Sequence, residues 1–209
     1  MVNAFLNYMK ISEGAEADVY LGRIAGRKAV VKYRRPKPYL VKRLEERLRV
    51  QRTRREARIL SKAYENGISV PAPLLCGRYS IYMEFVEGRI LSSMASIPTI
   101  LLPKIGKVLA ELHNMEIIHG DYTTANLLAD GSSIHAIDFG LAAQSDSEEE
   151  KALDLLLLKR SLENSEFKKA LSSYSKYSNN YIETTKLLKE IELRGRYQTR
   201  TLLTNKSEA

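Results

Sequence analysis

Three polar side chains, those of Asp121, Asn126 and Asp138, stand in an order and at spacings that suit phosphoryl transfer. Asn126 follows Asp121 by five positions, and Asp138 comes twelve positions later, after a strand-like run and just before Phe-Gly. A carboxylate close to a terminal phosphate can orient or deprotonate a nucleophile. A carboxamide and a second carboxylate supply the oxygen ligands that Mg²⁺ prefers. The alternative is a hairpin with incidental acids, but both halves together in this order favour the catalytic interpretation.

This order of residues is typical of a kinase catalytic loop followed by a metal-binding Asp-Phe-Gly turn. We interpret His119, two residues before Asp121, as holding the shape of the loop by hydrogen bonding rather than as the base. Asp154 lies in an apolar run further along the chain. It is either on the solvent side of a helix or a brace whose carboxylate accepts backbone N–H bonds from the loop.

A lysine and a glutamate further upstream have the residue types that would complete such a site. Lys32 ends a Val-Val-Lys strand, and Glu56 lies in the long basic helix that follows. An ion pair between them would give Lys32 a fixed direction towards the phosphates. The alternatives are an exposed lysine at a strand end and a helix-surface pair between Glu56 and Arg52, four residues earlier.

Two further segments are candidates to contact a nucleotide. The loop at 11–17 would cover the phosphates, although Gly14 is the only glycine left of the usual three. Met83 ends a strand, and Glu84 and Phe85 then leave the sheet as a kinase hinge would, with backbone groups that read the adenine edge. An ordinary strand exit would use the same residues, so the hinge interpretation depends on the flanking motifs.

Composition and charge restrict the class of protein. The chain has 209 residues, of which 44% are hydrophobic, and it can bury a globular core. No apolar run approaches the roughly 20 residues of a membrane span, so we expect no membrane segment. The only cysteine, Cys76, excludes an internal disulfide, fits a reducing cytosol and follows two leucines, so we expect it in the core.

The net charge of +8 is concentrated in one segment. Residues 32–58 contain 12 Lys and Arg against 3 Asp and Glu. Such a concentration suggests a polyanion or an acidic partner, whereas the simpler interpretation is a solvated helix face.

The pattern of elements predicts an α+β, two-lobed, protein-kinase-like fold. A small antiparallel β N-lobe with a long basic helix would occupy residues 1–84. The hinge and a reduced, mostly helical C-lobe would occupy 85–193, followed by a basic tail at 194–209. Predicted strands lie at 18–21, 29–33, 74–76 and 80–83, and predicted helices at 39–64, 99–114, 151–160, 165–177 and 181–193.

Two features of ordinary protein kinases are missing. Gly120 stands where an arginine would grip a phosphorylated activation loop. There is no Ala-Pro-Glu motif, and only 11 residues separate Asp-Phe-Gly from Ala152 in the next helix. The sequence therefore indicates that phosphate chemistry is retained and peptide selection is reduced.

Taken together, the motifs resemble those of the small atypical kinase subunit of the KEOPS complex, the PRPK-type family, in its compact archaeal form. The resemblance spans nearly the whole chain and rests on GAEADVY, VVKYRRPKPYL, RTRREARIL, MEFVEG, HGDYTTANLL, DFG, KALDL and RGRYQTR. It implies a kinase-like fold and an ATP-dependent Ser/Thr kinase that acts mainly as an ATPase. It also implies support for threonylcarbamoyladenosine formation next to the tRNA anticodon.

The resemblance further implies cofactors, partners and residue roles. ATP and Mg²⁺ would be bound, with Lys32, Glu56 and Asp121 catalytic and Asn126 and Asp138 holding the metal. A tRNA-threonylcarbamoyl transferase subunit of the ASKHA superfamily and a small KEOPS partner on the N-lobe would be partners in the cytoplasm. Residues 32–58 and 194–200 are candidates for tRNA contact. Nucleotide contacts would come from Ile11, Gly14, Ala15, Lys32, Met83, Glu84, Phe85, Asn126 and Asp138.

Two alternatives stay open. A small-molecule kinase of the aminoglycoside or choline type also uses a His-Gly-Asp loop with an asparagine five residues on, although those chains usually carry a larger C-lobe insertion. A tRNA-binding subunit in which ATP is regulatory would also explain the basic segments. Nor do the residues decide whether water or a Ser/Thr hydroxyl accepts the phosphoryl group, because Asp121 could orient either.

Overall fold

The computed structural model describes the backbone of residues 8–14, 16–37 and 41–204, and side chains as far as residue 194. Within these ranges, no helix is both long and apolar enough to cross a bilayer. The described chain divides into a mainly β N-terminal part and a mainly helical C-terminal part.

The N-terminal part is a five-stranded antiparallel sheet with one long helix against it. Its strands lie in the order β1-β2-β3-β5-β4. Ala25 and Gly26 both adopt positive φ, at 48° and 80°, which closes the tight turn between β2 and β3. The elements are β1 (Met9–Glu13), β2 (Ala17–Ile24), β3 (Arg27–Arg34), α1 (Lys42–Glu65), β4 (Pro73–Cys76) and β5 (Ser80–Glu84).

The C-terminal part surrounds the helix α2 with short strands and three more helices. One sheet has the order β6-β8-β9, and β7 pairs with β10. These short strands carry the loops in which Asp121 and Asp138 lie. The elements are β6 (Arg89–Ile90), α2 (Leu102–Asn114), β7 (Ile117–Ile118), β8 (Leu127–Asp130), β9 (Ser133–Ala136), β10 (Ala143–Gln144), α3 (Glu148–Ser161), α4 (Asn164–Tyr177) and α5 (Tyr181–Thr204).

Helix α3 begins three residues before its predicted start at Lys151. The Ser147 hydroxyl accepts a hydrogen bond from the Glu150 N–H at 3.3 Å, and Glu148, Glu149 and Glu150 form the first helical turn. A serine cap and acids near the helix N-terminus both stabilise a helix start. The acidic run is therefore part of the helix rather than of the loop before it.

The other helices differ from the prediction mainly at their ends. Helix α1 begins at Lys42, and residues 38–40, which include its predicted start, lie outside the described residues. Helix α5 continues to Thr204, so its backbone runs through the stretch that we separated as a tail. The end of that tail, 205–209, lies outside the described residues, and the three-part division of the chain stays a prediction.

The prediction for Cys76 was wrong, because this residue is exposed. Leu74 and Leu75, which precede it, are 45% and 59% exposed. Strand β4 is an edge strand that pairs on one side only, with β5. A local apolar run does not reveal whether other elements cover the edge of the sheet that it forms. The described residues do not cover the edge formed by β4.

Candidate active site

A cavity of about 540 Å³ lies between the N-terminal sheet and the loops of the C-terminal part. Most of its wall is apolar, and its polar lining residues are Ser12, Lys32, Glu56, Glu84, Asn126 and Asp138. Seven of the nine predicted nucleotide contacts line this cavity, namely Ile11, Lys32, Met83, Glu84, Phe85, Asn126 and Asp138.

A second cavity, of about 300 Å³, shares Lys32 and Asp138 with the first and adds Gly14 and Asp121 to its lining. Gly14 and the carboxylates of Asp121 and Asp138 therefore line the same cavity. Ala15, its neighbour and another predicted contact, lies outside the described residues.

The predicted ion pair between Lys32 and Glu56 is formed. Alternate residues of a strand face the same side, and Val30 and Lys32 of β3 accordingly both line the larger cavity. The Lys32 ammonium donates to Glu56 Oε1 at 2.6 Å and to Asp138 Oδ1 at 2.5 Å. Arg52, the alternative partner of Glu56, instead donates to Glu16 at 2.8 Å.

Asp138 is held in a special conformation and in its ionised form. Its φ of 61° lies in the left-handed region, which is uncommon for a residue with a side chain and carries backbone strain. Burial acts to raise the pKa of its carboxyl, but the adjacent Lys32 ammonium and the Gly140 N–H, at 3.0 Å, outweigh burial and lower it. The carboxylate is therefore charged at neutral pH, as a metal ligand must be.

The Asn126 side chain hydrogen-bonds back to Asp121, at the start of the catalytic loop. Its Nδ2 donates to the Asp121 carbonyl at 2.9 Å and to Asp121 Oδ2 at 2.8 Å. The amide oxygen is then the atom that Asn126 has left to offer a cation. Asn126 and Asp138 line the same cavity, which brings the two predicted metal ligands together.

This donor set fits Mg²⁺. Among the described residues, no group of three or more His, Cys, Asp or Glu could form a complete protein cage for a metal. Mg²⁺ commonly takes only one or two protein oxygens and completes its octahedral shell with phosphates and water. The Asp138 carboxylate and the Asn126 amide oxygen, which lie beside Lys32, match this pattern of Mg²⁺ coordination.

Asp154 braces the catalytic loop, and the solvent-facing alternative is excluded because the residue is only 1% exposed. Its two carboxylate oxygens accept the His119 N–H at 2.7 Å and the Gly120 N–H at 2.9 Å. Gly120 has a φ of 77°, and a Cβ there would lie 2.7 Å from the Leu141 carbonyl oxygen. An arginine at position 120 would therefore need a different loop conformation.

His119 holds the loop from within, as predicted. The Asp121 N–H donates to its Nδ1 at 3.3 Å, and its Nε2 lies 3.1 Å from the Ile137 carbonyl. This pairing requires the neutral tautomer with the proton on Nε2, because Nδ1 must accept. Burial lowers the pKa of His119, which also favours the neutral ring.

Two features of the site were missed from the sequence. Arg34 also binds Glu56, on the carboxylate oxygen that Lys32 does not use. His113 lies behind Asp154, with its Nε2 3.3 Å from Asp154 Oδ2 and its Nδ1 2.8 Å from the Tyr174 hydroxyl. The contact of Arg34 with Glu56 could have been found from the two-residue spacing of Lys32 and Arg34 on one strand face. Nothing in the local sequence indicated the position of His113.

Comparison with known proteins identifies a family and close relatives. The model of the RIO domain matches residues 27–177. The KEOPS complex subunit Bud32 of Pyrococcus abyssi is 34% identical over 216 residues, which cover 93% of this chain and 98% of that protein. A probable bifunctional tRNA threonylcarbamoyladenosine biosynthesis protein of Methanobrevibacter smithii is 38% identical over 197 residues. That match covers 90% of this chain but only 36% of the relative, so the chain spans about a third of such bifunctional proteins.

A solved structure supports the fold. The Rio2 kinase of Chaetomium thermophilum, in its complex with ADP/Mg²⁺-phosphoaspartate, superposes with a TM-score of 0.65 at 20% identity, covering 94% of this chain and 72% of that one. The predicted two-lobed, protein-kinase-like fold with an antiparallel N-terminal sheet and a helical C-terminal part is confirmed.

Proposed function

Because this chain belongs to the RIO-domain family and, within it, to the Bud32 proteins, we propose that it binds and turns over Mg-ATP as a KEOPS subunit. In this role it is an atypical Ser/Thr kinase that acts mainly as an ATPase. It supports the formation of threonylcarbamoyladenosine next to the tRNA anticodon, in the cytoplasm. The observation that carries the proposal is the position of the Lys32 ammonium, 2.6 Å from Glu56 and 2.5 Å from Asp138 at the junction of the two cavities.

Each polar residue of the site has a role in this proposal. Lys32, directed by Glu56, would hold phosphate oxygens. Asn126 and Asp138 would hold Mg²⁺, which supplies positive charge to neutralise the transferring phosphate. Asp121 would orient the attacking hydroxyl, whether that of water or of a side chain.

The adenine would lie at the apolar end of the larger cavity. Ile11 and Met83 offer apolar surface there, and Glu84 and Phe85 offer backbone groups. The Phe85 N–H makes only a long hydrogen bond, 3.4 Å, to the Lys28 carbonyl, so we assign it as the hinge donor. The Glu84 N–H is already bound by the Ala72 carbonyl at 2.9 Å.

The short segment after Asp-Phe-Gly supports hydrolysis over peptide phosphorylation. Only residues 141–147 separate Gly140 from α3, and two of them, Ala143 and Gln144, form β10 with β7 as its partner. So short a segment offers little surface on which to dock an acceptor peptide. Water needs no docking surface, so the short segment favours water over a peptide as the phosphoryl acceptor.

We also propose the partners that the KEOPS role implies. These are the ASKHA-superfamily tRNA-threonylcarbamoyl transferase subunit, a small subunit on the N-terminal part, and tRNA contacted through 32–58 and 194–200. Exposed arginines of α1 support the first of these tRNA segments. Of the second, only the Arg194 side chain is described, and it donates to Glu149 at 2.9 Å.

The test is to measure phosphate release from Mg-ATP by the chain alone, with the transferase subunit, and with that subunit plus tRNA. We expect hydrolysis that requires Mg²⁺ and increases with the subunit and again with tRNA. Samples with EDTA, and with tRNA but no subunit, are the controls. Phosphate release that did not change with the subunit or with tRNA, but increased with an aminoglycoside or choline, would overturn the proposal in favour of a small-molecule kinase.

A further inference from the structure

Arg34 lies two residues beyond Lys32 on β3 and faces the same side of the sheet. It is 4% exposed, although it carries a full charge. Its Nη2 donates to Glu56 Oε2, and its Nη1 donates to Glu16 Oε2 at 2.8 Å. One buried guanidinium therefore joins two acids from different elements, the helix α1 and the loop between β1 and β2.

The Glu56 carboxylate is bound on both oxygens from a single strand. Lys32 takes Oε1 and Arg34 takes Oε2. Because the spacing of residues 32 and 34 is set by the strand backbone, these two contacts fix both the position and the rotation of the carboxylate. A glutamate bound by Lys32 alone would be free to rotate, and Lys32 would lose part of its direction towards the phosphates.

The second contact of Arg34 reaches the loop that borders the phosphate end of the site. Glu16 of this loop also accepts from Arg52 of α1 at 2.8 Å, and it lines the smaller cavity together with Gly14, Asp121 and Asp138. The loop has a single glycine. Ionic contacts hold it instead: Glu16 joins it to Arg34 of β3 and Arg52 of α1, and the Arg35 guanidinium donates to the Gly14 carbonyl at 2.6 Å.

The chemistry of the guanidinium suits this double role. Its planar fork presents separate N–H groups to two acceptors, which a lysine ammonium cannot do with the same geometry. Its Nε has no hydrogen-bond partner among the described residues. An unsatisfied buried donor costs stability, so the arginine is poorly explained as a stabilising core residue and better explained by the groups that it holds in place.

We propose that Arg34 is a positioning residue for ATP turnover, which holds Glu56 against Lys32 with one N–H group and fastens the β1–β2 loop through Glu16 with another. Arg34 would thereby hold α1 in its active position without a phosphorylated activation segment. Gly120 stands where the arginine that binds such a segment would be. This inference rests on the proposed ATP turnover, and it assigns Arg34, which also borders the smaller cavity, a role through its two acid partners.

The test compares Arg34→Gln and Arg34→Lys with the control Arg27→Gln, which removes the same charge from an exposed position at the start of β3. We expect Arg34→Gln to lower kcat by about tenfold or more and to raise the KM for ATP, because small displacements of catalytic groups are costly. Arg34→Lys should recover part of kcat, since a lysine keeps the positive charge but lacks the planar fork that directs separate N–H groups to the two acids. Arg27→Gln should behave as the wild type.

Two measurements that do not depend on turnover complete the test. The affinity for a fluorescent Mg-ATP analogue should fall in Arg34→Gln. Hydrogen exchange of the protein without nucleotide should speed up in peptides that cover 11–17 and 52–60, and nowhere else to the same degree. A lower melting temperature with unchanged kcat, KM and local exchange would overturn the inference, because it would show a merely structural role.

Glu16→Gln separates the two contacts and remains informative if Arg34→Gln does not fold. It should raise the KM for ATP and speed exchange at 11–17, with a smaller loss of kcat than Arg34→Gln because Glu56 is still held. Wild-type kinetics in both Glu16→Gln and Arg34→Lys would overturn the inference. If the wild-type chain itself does not hydrolyse ATP, the proposed function fails instead, and the two failures are thereby distinguished.

Discussion

At the residue scale, the catalytic loop depends on one buried carboxylate. Asp154 is the only described side chain that accepts N–H bonds from both His119 and Gly120. Both bonds are formed away from solvent, and backbone N–H groups left there without acceptors are costly. The position of Asp121 thus depends on an acid that lies 33 residues further along the chain.

We predict that Asp154→Asn lowers the free energy of unfolding by about 3 kcal/mol, because an amide can accept only one of the two N–H groups and turns a donor towards the other. ATP turnover should fall as well, since the loop loses its shape. Urea unfolding at pH 7 measures the first effect. Asp130→Asn, at a half-exposed acid on β8, is the control and should change stability by less than about 0.5 kcal/mol.

The pH dependence of stability follows from two buried histidines. Burial lowers the pKa of His113, against the opposing effect of Asp154, and lowers the pKa of His119 in the same way. Below about pH 6.5 the unfolded chain binds protons at these rings and the folded chain does not, so stability falls as the pH falls. The slope should reach about 1.4 kcal/mol per pH unit for each histidine.

Urea unfolding at pH 7.5, 6.5 and 5.5 checks this slope. His113→Gln keeps a donor and an acceptor for Asp154 and Tyr174 but removes one titrating ring, so about half of the slope should disappear. A wild-type protein that is as stable at pH 5.5 as at pH 7.5 would contradict the assignment of both rings as neutral.

At the scale of elements, the sequence was most informative where chemistry fixes residue types. That Asp121, Asn126 and Asp138 lie together could be predicted from their order and spacing along the chain, whereas their catalytic roles stay a proposal. The pairing of Lys32 with Glu56 could be predicted because a phosphate-binding lysine needs an acid. The second ion pair of Glu56, with Arg34, could not be predicted. Residues 32–58 contain twelve Lys and Arg, and only the packing of α1 on the sheet brings Arg34 to Glu56.

The errors at this scale also have physical causes. The burial of Cys76 depends on whether another layer covers the edge of the sheet, which a run of three apolar residues does not reveal. The start of α3 was visible in principle, since Ser147 followed by three glutamates is a helix N-terminus. A predicted start at Lys151 overlooked the favourable interaction of these glutamates with the helix dipole.

Helices α2 and α4 cross in close contact at Gly106, where a Cβ would lie 1.9 Å from the Ala170 carbonyl oxygen. We predict that Gly106→Ala costs about 1–3 kcal/mol of stability, because backbone on both helices must move apart. The neighbouring Ile105 carbonyl accepts the Tyr122 hydroxyl of the catalytic loop at 2.9 Å, so turnover should fall too. Thermal unfolding and phosphate release measure both effects, and Lys107→Ala on the exposed side of α2 should change neither appreciably.

At the scale of the whole molecule, the charge distribution favours one side as the tRNA contact. Residues 32–58 carry the entire positive excess, and α1 exposes Arg54 and Arg58. If these arginines neutralise tRNA phosphates, the logarithm of the affinity should fall with the logarithm of salt concentration by about 0.7–0.9 for each phosphate contacted.

The double variant Arg54→Gln/Arg58→Gln should make this slope shallower by up to about 2, measured by tRNA binding in the presence of the transferase subunit. Lys168→Gln/Lys169→Gln removes the same charge from exposed positions on α4 and should leave the slope unchanged. Equal slopes for the two double variants would identify α1 as a solvated or protein-binding face instead.

Asp138, charged and held beside Lys32, is the residue on which the proposed Mg-ATP turnover should depend most directly. The most direct measurement is ATP hydrolysis by the chain with Asp138→Asn, alongside Asp146→Asn at an exposed acid eight residues further on. Circular dichroism would establish that both variants are folded. We predict that hydrolysis by Asp138→Asn falls to the level of the enzyme-free blank, whereas Asp146→Asn keeps wild-type turnover. Undiminished, Mg²⁺-dependent hydrolysis by Asp138→Asn would exclude Asp138 as the residue that holds the metal.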